Sequence, residues 1–172
     1  MKKAELAKQI KTNSFLTGQF KLRSGKTSSF YIDKYRFESN PILLSAIVDE
    51  LQKLLPTSNK LVGLELGGIP LATVLSLRTG KPCLYVRKSA KTYGTCNLVE
   101  GGFQAGETVV IVEDVITTGG QICKSIDQMR KLGLIVQNVL CVIDRQQGGE
   151  ENLRKIGCSL TSVFTLGEIK RL

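Results

Sequence analysis

The chain of 172 residues contains no histidine. It therefore lacks the side chain that most often performs general acid and base catalysis near neutral pH, and the usual partner that activates a serine or cysteine nucleophile. Zinc sites completed by histidine ligands are excluded for the same reason. Any chemistry must rest on the positioning of reactants and on electrostatic stabilisation.

Cysteine is present, but its pattern excludes further classes of site. The five cysteines are scattered and odd in number, and none forms a Cys-x-x-Cys pair. This spacing argues against a metal site and predicts free thiols in a reducing compartment. No apolar run approaches the length of a membrane span, and the amino terminus lacks the apolar stretch of a signal peptide. We therefore expect a cytoplasmic protein with no membrane partner.

Charge is unbalanced in favour of basic residues. Lysine and arginine number 24 against 15 acidic residues, which gives a formal net charge of +9. Such a charge suits either nucleic acid or small polyanionic substrates. A long basic tail and a low-complexity arm are both missing, so we expect small anions and no nucleic-acid partner. Other lysines, including Lys60 and Lys124, are expected on the solvated surface.

Strand and helix patterns alternate over most of the chain. This alternation predicts an α/β fold with a mostly parallel central sheet, and the length fits a single domain over residues 1–172. Expected helices are residues 4–10, 42–55, 69–77 and 121–132; expected strands are 20–23, 30–33, 61–66, 83–87, 108–112, 136–143 and 160–166.

Residues 109–121 carry the strongest functional signal. Four β-branched apolar residues, 109–112, predict a buried strand that leads into an acidic pair, Glu113 and Asp114. Residues 117–120, Thr-Thr-Gly-Gly, then precede a helical pattern. Threonine and glycine at a strand-to-helix turn can surround a phosphate, whereas carboxylates accept hydrogen bonds from sugar hydroxyls. The run suits a phosphorylated ribose, although a polar turn in an ordinary strand–helix unit is the simpler alternative.

This run resembles the signature with which type I phosphoribosyltransferases bind phosphoribosyl pyrophosphate (PRPP). The resemblance implies the type I phosphoribosyltransferase fold, with a central sheet flanked by helices and a small amino-terminal hood. It also implies that the acidic pair holds the ribose 2- and 3-hydroxyls and that the Thr/Gly loop holds the 5-phosphate. The implied PRPP-binding residues are Glu113, Asp114, Val115, Ile116, Thr117, Thr118, Gly119, Gly120 and Gln121.

Residues 20–33 resemble the hood of the orotate phosphoribosyltransferase family, mainly residues 1–36 here. Residues 142–149 resemble the segment of that family in which an arginine contacts the orotate carboxylate. The resemblance implies that the orotate-binding residues are Arg23, Lys26, Phe30, Tyr31, Thr117 and Arg145. Two simpler explanations stay open: the aromatic residues could be core, and Arg145 could pair with Asp144.

Residues 64–72 and 85–95 resemble two further parts of that family. The first is similar to the pyrophosphate loop, which implies PRPP contacts at Gly67 and Gly68, although a tightly packed turn also explains the glycines. The second is similar to a flexible catalytic loop, expected at about residues 88–106, a stretch too long and polar for an ordinary connection. It implies catalytic roles for Arg87, Lys88 and Lys91 at the pyrophosphate, with Tyr93 beside them.

The implied reaction joins PRPP and orotate to give orotidine 5-monophosphate and pyrophosphate, a step of pyrimidine biosynthesis. The resemblance further implies Mg²⁺ bound through PRPP, without a confident direct protein ligand, and a homodimer that shares the catalytic loop across subunits. A purine or uracil phosphoribosyltransferase is one alternative. A regulatory PRPP-sensing protein that binds nucleic acid is another, since Arg23, Tyr93 and Gln121 depart from the common family pattern.

Overall fold

The computed structural model describes residues 1–21, 25, 27–89 and 97–172 of the chain. The helices are α1 (Lys3–Ser14), α2 (Tyr35–Glu38), α3 (Pro41–Leu54), α4 (Gly68–Thr79), α5 (Gly120–Lys131), α6 (Gly149–Lys155) and α7 (Leu166–Lys170). The strands are β1 (Phe15–Lys21), β2 (Thr27–Ile32), β3 (Lys60–Leu64), β4 (Cys83–Val86), β5 (Val99–Glu100), β6 (Thr108–Ile116), β7 (Ile135–Asp144) and β8 (Ser159–Thr165).

Six strands form a central sheet in the order β5-β4-β3-β6-β7-β8. Every neighbouring pair is parallel except β4 and β5. Strand β6 is apolar on both faces because helices cover both sides. Val110 and Val112 pack in a core with α1, α3 and α4, whereas Val109 and Ile111 pack in a second core with α5 and α6.

The hood consists of the antiparallel hairpin β1–β2 together with α2, which leads the chain back to the sheet. The rings of Phe15 and Phe30 stack at the base of the hairpin, with centroids 6.3 Å apart. Phe37 of α2 is completely buried in the core that contains α1 and α3. The hood is therefore attached to the sheet by packing as well as by the chain.

Helix α3 begins at Pro41, one residue before the helix expected over residues 42–55. The side-chain oxygen of Asn40 accepts hydrogen bonds from the backbone N–H groups of Ile42 and Leu43 at 3.0 and 3.2 Å. Pro41 occupies the first helical position, where its missing N–H costs nothing.

Several boundaries differ from the sequence prediction. Strand β6 continues four residues past the predicted end, because Val115 and Ile116 pair with Ile143 and Asp144 of β7. The acidic pair therefore lies inside the strand, and β3 ends at Leu64 instead of residue 66. Strand β5 and the short helices α2, α6 and α7 were not predicted, because segments this short carry little periodicity.

Lys60 has a different environment from the one expected from sequence. Lys60 is largely buried and pairs with Glu107 at 3.0 Å, so the prediction that it lies on the solvated surface is wrong.

The cysteines in the described residues are free thiols, at Cys83, Cys123, Cys141 and Cys158. Within the described ranges, no helix is both long enough and apolar enough to cross a membrane.

Candidate active site

A cleft of about 880 Å³ opens at the carboxyl ends of β3, β4, β6 and β7. Ligands of open α/β sheets bind at this edge. Of the residues predicted from sequence, those that line the cleft are Tyr31, Gly67, Arg87, Lys88, Glu113, Asp114, Val115, Ile116, Thr117, Thr118, Gly119, Gly120, Gln121 and Arg145. The fold thus brings together residues from five separate segments.

The Thr/Gly loop, residues 117–120, joins β6 to α5 along the cleft. Gly119 has a φ of +71°, a left-handed conformation that favours glycine, and it turns the chain into the helix. The first N–H groups of α5 point out of the helix end without intrahelical acceptors, which is the arrangement that binds phosphate. From behind, the side-chain amide of Asn152 donates a 3.0 Å hydrogen bond to the Thr118 carbonyl. This hydrogen bond ties the loop to α6.

The two carboxylates of the acidic pair have different surroundings. Glu113 is half-buried and faces the cleft, whereas Asp114 is only 1% exposed. One Asp114 oxygen, Oδ1, accepts a hydrogen bond from the Val115 N–H, and the other, Oδ2, forms an ion pair of 2.5 Å with the Lys34 ammonium. Asp114 is therefore fixed at both oxygens.

The protonation states in this cluster follow from burial and neighbouring charge. Burial raises the pKa of Glu113 well above its ordinary value, and the Asp114 carboxylate raises it further. Burial, and then Asp114, raise the pKa of the nearby Glu38 to about 9, so Glu38 is neutral at pH 7. Burial alone would lower the pKa of Lys34, but Asp114 and Glu113 outweigh it and the pKa is raised. Lys34 is thus a stable cation among acids.

Glycines 67 and 68 make close packing possible at the turn after β3. A Cβ at Gly67 would overlap the Asp114 carboxylate and would lie 3.0 Å from the Lys34 ammonium. A Cβ at Gly68 would overlap the carbonyl oxygen of Val112. Gly68 is buried and is not among the residues found to line the cleft, so its packing is explained while its contact with PRPP stays a prediction.

Arg87 and Lys88 enter the cleft directly after β4. The Arg87 Nε donates to Glu100 of β5 at 2.9 Å, and the Lys88 backbone N–H donates to Glu65 at 2.9 Å. Two carboxylates thus fix the first residues of the predicted catalytic loop. The Lys88 ammonium extends from an exposed residue at the cleft and is suited to meeting an anion.

Arg145 follows β7 on the opposite side of the cleft. Its guanidinium carbon lies 6.0 Å from the centroid of the Phe30 ring, and its buried Nε has no hydrogen-bond partner among the described residues. The Asp144 carboxylate instead accepts a 2.8 Å hydrogen bond from the Gln146 N–H. Tyr31 lines the cleft and is 44% exposed, whereas Phe30 packs against the core. A planar anionic ligand would find both a cation and aromatic surface here.

Comparison with known proteins agrees with this geometry. The family described as "Phosphoribosyl transferase domain" matches residues 37–163. An orotate phosphoribosyltransferase of Nocardioides sp. is 48% identical over 167 residues, covering 96% of this chain and 93% of the relative. The chain belongs to the orotate phosphoribosyltransferase family. It has the type I phosphoribosyltransferase fold, and the similarity spans nearly the whole chain.

Two solved orotate phosphoribosyltransferases support the same conclusion. The crystal structure of the enzyme from Aeropyrum pernix matches with a TM-score of 0.87 at 40% identity, covering 96% of each chain. That of the Mycobacterium tuberculosis enzyme, in complex with PRPP, matches with a TM-score of 0.82 at 28% identity, covering 98% of each chain.

Four residues predicted for this orotate phosphoribosyltransferase site lie outside the described residues: Arg23, Lys26, Lys91 and Tyr93. Their roles stay predictions. Within the stretch predicted as the catalytic loop, residues 99 and 100 form β5 against β4. The described part of that stretch therefore includes ordered sheet.

Sequence reasoning assigned no role in the site to several charged residues of the orotate phosphoribosyltransferase cleft. Lys21, Lys34, Glu65 and Lys124 line it, and Glu38 lies next to Asp114. Lys124 is exposed as expected, yet it also belongs to the cleft. One signal was available for Lys34 and Glu38, because they stand four residues apart beside the hood motif, a spacing that puts side chains together on a helix.

Proposed function

We propose that this cleft binds PRPP and orotate together and transfers the phosphoribosyl group to orotate. The products are orotidine 5'-monophosphate and pyrophosphate, in the pyrimidine biosynthetic pathway. The assignment of residues rests mainly on Arg145. Its buried Nε lacks a partner in the described structure, and Arg145 lines the same cleft as the Thr/Gly loop. A guanidinium is suited to a carboxylate because it donates parallel hydrogen bonds.

PRPP is proposed to lie along the carboxyl edge of the sheet. Its 5-phosphate would accept hydrogen bonds from the backbone of residues 117–121 at the start of α5, and its ribose hydroxyls would donate to Glu113 and Asp114. The pyrophosphate would then extend towards Gly67, Arg87 and Lys88, which line the other end of the cleft. The positive charges of Arg87 and Lys88 there are opposite in sign to the charge of the pyrophosphate leaving group.

Orotate is proposed to lie between the hood and Arg145. Tyr31 supplies exposed aromatic surface at the cleft, and Thr117 supplies a hydroxyl at the strand end. Arg23 and Lys26 of the hood complete the proposed pocket from outside the described residues. A neutral base would leave the Arg145 guanidinium without an anion, which makes it a poor substrate.

The chemistry requires no histidine. The orotate nitrogen, which can enter as an anion, forms the new bond to ribose C1′ as the bond from C1′ to the pyrophosphate oxygen breaks, and the electron pair leaves with pyrophosphate. The protein would lower the barrier by aligning the two reactants and by placing Arg87, Lys88 and Lys91 at the developing charge. Closure of the loop would keep water from the reacting carbon.

Mg²⁺ is proposed to enter bound to PRPP. Across the described residues, no group of three or more His, Cys, Asp or Glu side chains is placed to hold a metal ion. The half-buried carboxylate of Glu113 at the cleft suits a cation that takes its other ligands from diphosphate and water. When bound, the ion would supply further neutralisation of the pyrophosphate charge.

A cytoplasmic homodimer is the proposed form of the enzyme. Free thiols at four cysteines suit a reducing compartment. Leu66, beside the cleft, is 54% exposed, and Leu77 on α4 is 81% exposed. In the proposed dimer, contact with the second subunit would cover these apolar side chains. A second subunit could then supply Lys91 to its partner's cleft.

Steady-state kinetics of Arg145→Ala with orotate test the proposed site. The KM for orotate should rise roughly a hundredfold, because a charged hydrogen bond to the substrate is lost, whereas PRPP affinity measured by titration should stay within about threefold. Wild-type enzyme should use uracil, hypoxanthine and adenine poorly. The proposal is wrong if these neutral bases are used as well as orotate, or if Arg145→Ala loses PRPP binding instead.

A further inference from the structure

Lys34 joins the hood to the acidic pair. It lies immediately before α2, and its ammonium reaches the Asp114 carboxylate on β6 at 2.5 Å. The Lys34 side chain is 31% exposed, whereas that of Asp114 is 1% exposed. The pair therefore connects two elements that otherwise contribute to different parts of the proposed site, the hood to the base and β6 to the ribose.

The surroundings of this pair are built closely around it. Gly67 passes so near that any side chain there would displace the Asp114 carboxylate and crowd the Lys34 ammonium. Glu38, one helical turn after Lys34, lies on the buried side. Its raised pKa keeps it neutral, so it adds no second negative charge beside Asp114. Lys34 thus supplies a positive charge next to the acidic side chains of Asp114 and Glu113.

The pairing fixes which way Asp114 faces. A carboxylate has about four lone-pair sites, and the Val115 N–H and Lys34 use one at each Asp114 oxygen. Asp114 lines the cleft with only 1% of its side chain exposed, so the hydroxyls of a bound ribose would reach it only from the cleft side. Without Lys34, Oδ2 of Asp114 would lose its ion-pair partner, and the carboxylate would be free to rotate away from the ribose.

We propose that Lys34 is a positioning residue that holds the Asp114 carboxylate ready for the ribose of PRPP and couples the hood to PRPP binding. This inference rests on the proposed function. Lys34 acts through Asp114, so it affects binding of the ribose in the ground state and in the transition state to a similar extent. Its loss should appear in the KM for PRPP more than in turnover.

The test is Lys34→Met, assayed with both substrates varied separately and by direct titration with PRPP. The KM for PRPP should rise roughly ten- to a hundredfold, while the KM for orotate and the turnover number stay within about threefold. Lys34→Arg should recover part of the PRPP affinity. The control is Lys131→Met, which removes an exposed lysine paired with Asp127 at 2.7 Å. Lys131 lies at the carboxyl end of α5 and does not line the cleft, so both KM values and the turnover number should stay unchanged.

A purely structural role gives a different pattern. If Lys34→Met lowered turnover and affected both substrates alike, in step with a loss of thermal stability and without recovery in Lys34→Arg, the inference would be wrong. Unchanged PRPP affinity would also overturn it. If Lys34→Met does not fold, Lys34→Gln in the same titration gives the same decision. Failure of wild-type enzyme to convert orotate would overturn the proposed function instead, and PRPP titration would still test Lys34.

Discussion

The backbone N–H of Lys88 donates a 2.9 Å hydrogen bond to the side-chain carboxylate of Glu65. Glu65 directly follows β3, and Lys88 begins the predicted catalytic loop after β4. One side chain therefore links the turn after β3 to the start of the predicted catalytic loop. Since both residues line the cleft, the link fixes the direction in which the loop leaves the sheet.

Glu65→Ala should lower the turnover number about tenfold, because the loop would lose the acceptor that fixes its first residue. Glu65→Gln keeps an oxygen acceptor in the same place and should retain most of the activity. Steady-state assays of the two variants make the comparison. Equal impairment of both would show that the negative charge of Glu65, and not its hydrogen bond, is what matters.

Lys91→Ala should reduce turnover by roughly a hundredfold or more while leaving orotate binding nearly intact, because the lysine charge is needed as pyrophosphate departs. Turnover and orotate titration together measure this split. Mixed dimers extend the test, since pairing a Lys91→Ala chain with an Asp114→Asn chain should restore part of the activity if the loop works across subunits. Near wild-type turnover in Lys91→Ala would contradict the catalytic role of the loop.

Gly67→Ala should weaken PRPP binding by at least about tenfold, because the added Cβ overlaps the Asp114 carboxylate and forces it to move. Isothermal titration calorimetry with PRPP measures this affinity in the wild type and in Gly67→Ala. Gly102→Ala is a matched control for loss of a glycine, since a Cβ there meets open space, and its unfolding temperature should equal that of the wild type. Wild-type PRPP affinity in Gly67→Ala would mean that Asp114 can move without consequence.

Glu38 should make the free energy of unfolding depend on pH. Its pKa is raised to about 9 in the folded protein from an ordinary value of 4.5, mainly by burial. Between these values the folded state binds more protons than the unfolded state, so this contribution to stability falls as pH rises towards 9. Glu38→Gln cannot ionise and should lose less stability than wild type between pH 6 and 9. Urea denaturation at several pH values measures the free energy of unfolding of both proteins. The prediction is wrong if this free energy changes with pH equally in the wild type and in Glu38→Gln.

The strand-to-helix turn at residues 117–120 could be predicted from sequence because its conformation depends on local chemistry. Gly119 provides the left-handed turn and α5 the free N–H groups, and neither depends on distant residues. The end of β6 could not be predicted, because Val115 and Ile116 are strand residues only through pairing with β7. Side-chain pattern alone does not reveal how far a neighbouring strand extends.

The Lys34–Asp114 pair was missed for a related reason. The two residues are distant in sequence, and only the packing of α2 against the sheet brings them together. Glu38 was also missed, since a glutamate in a one-turn helix is ordinarily exposed and charged, whereas here it is buried and neutral. Long-range contact and altered protonation are properties of the folded chain.

Strand β6 has residues in both cores, and the acidic pair lies on the same strand. Moving Glu113 and Asp114 along the strand would disturb Val110 and Val112 on one side and Val109 and Ile111 on the other. The proposed ribose position therefore has almost no freedom to adapt to a different pentose. Attempts to evolve altered sugar preference should succeed through side chains that line the cleft, such as Glu113, and fail when they shift the strand itself.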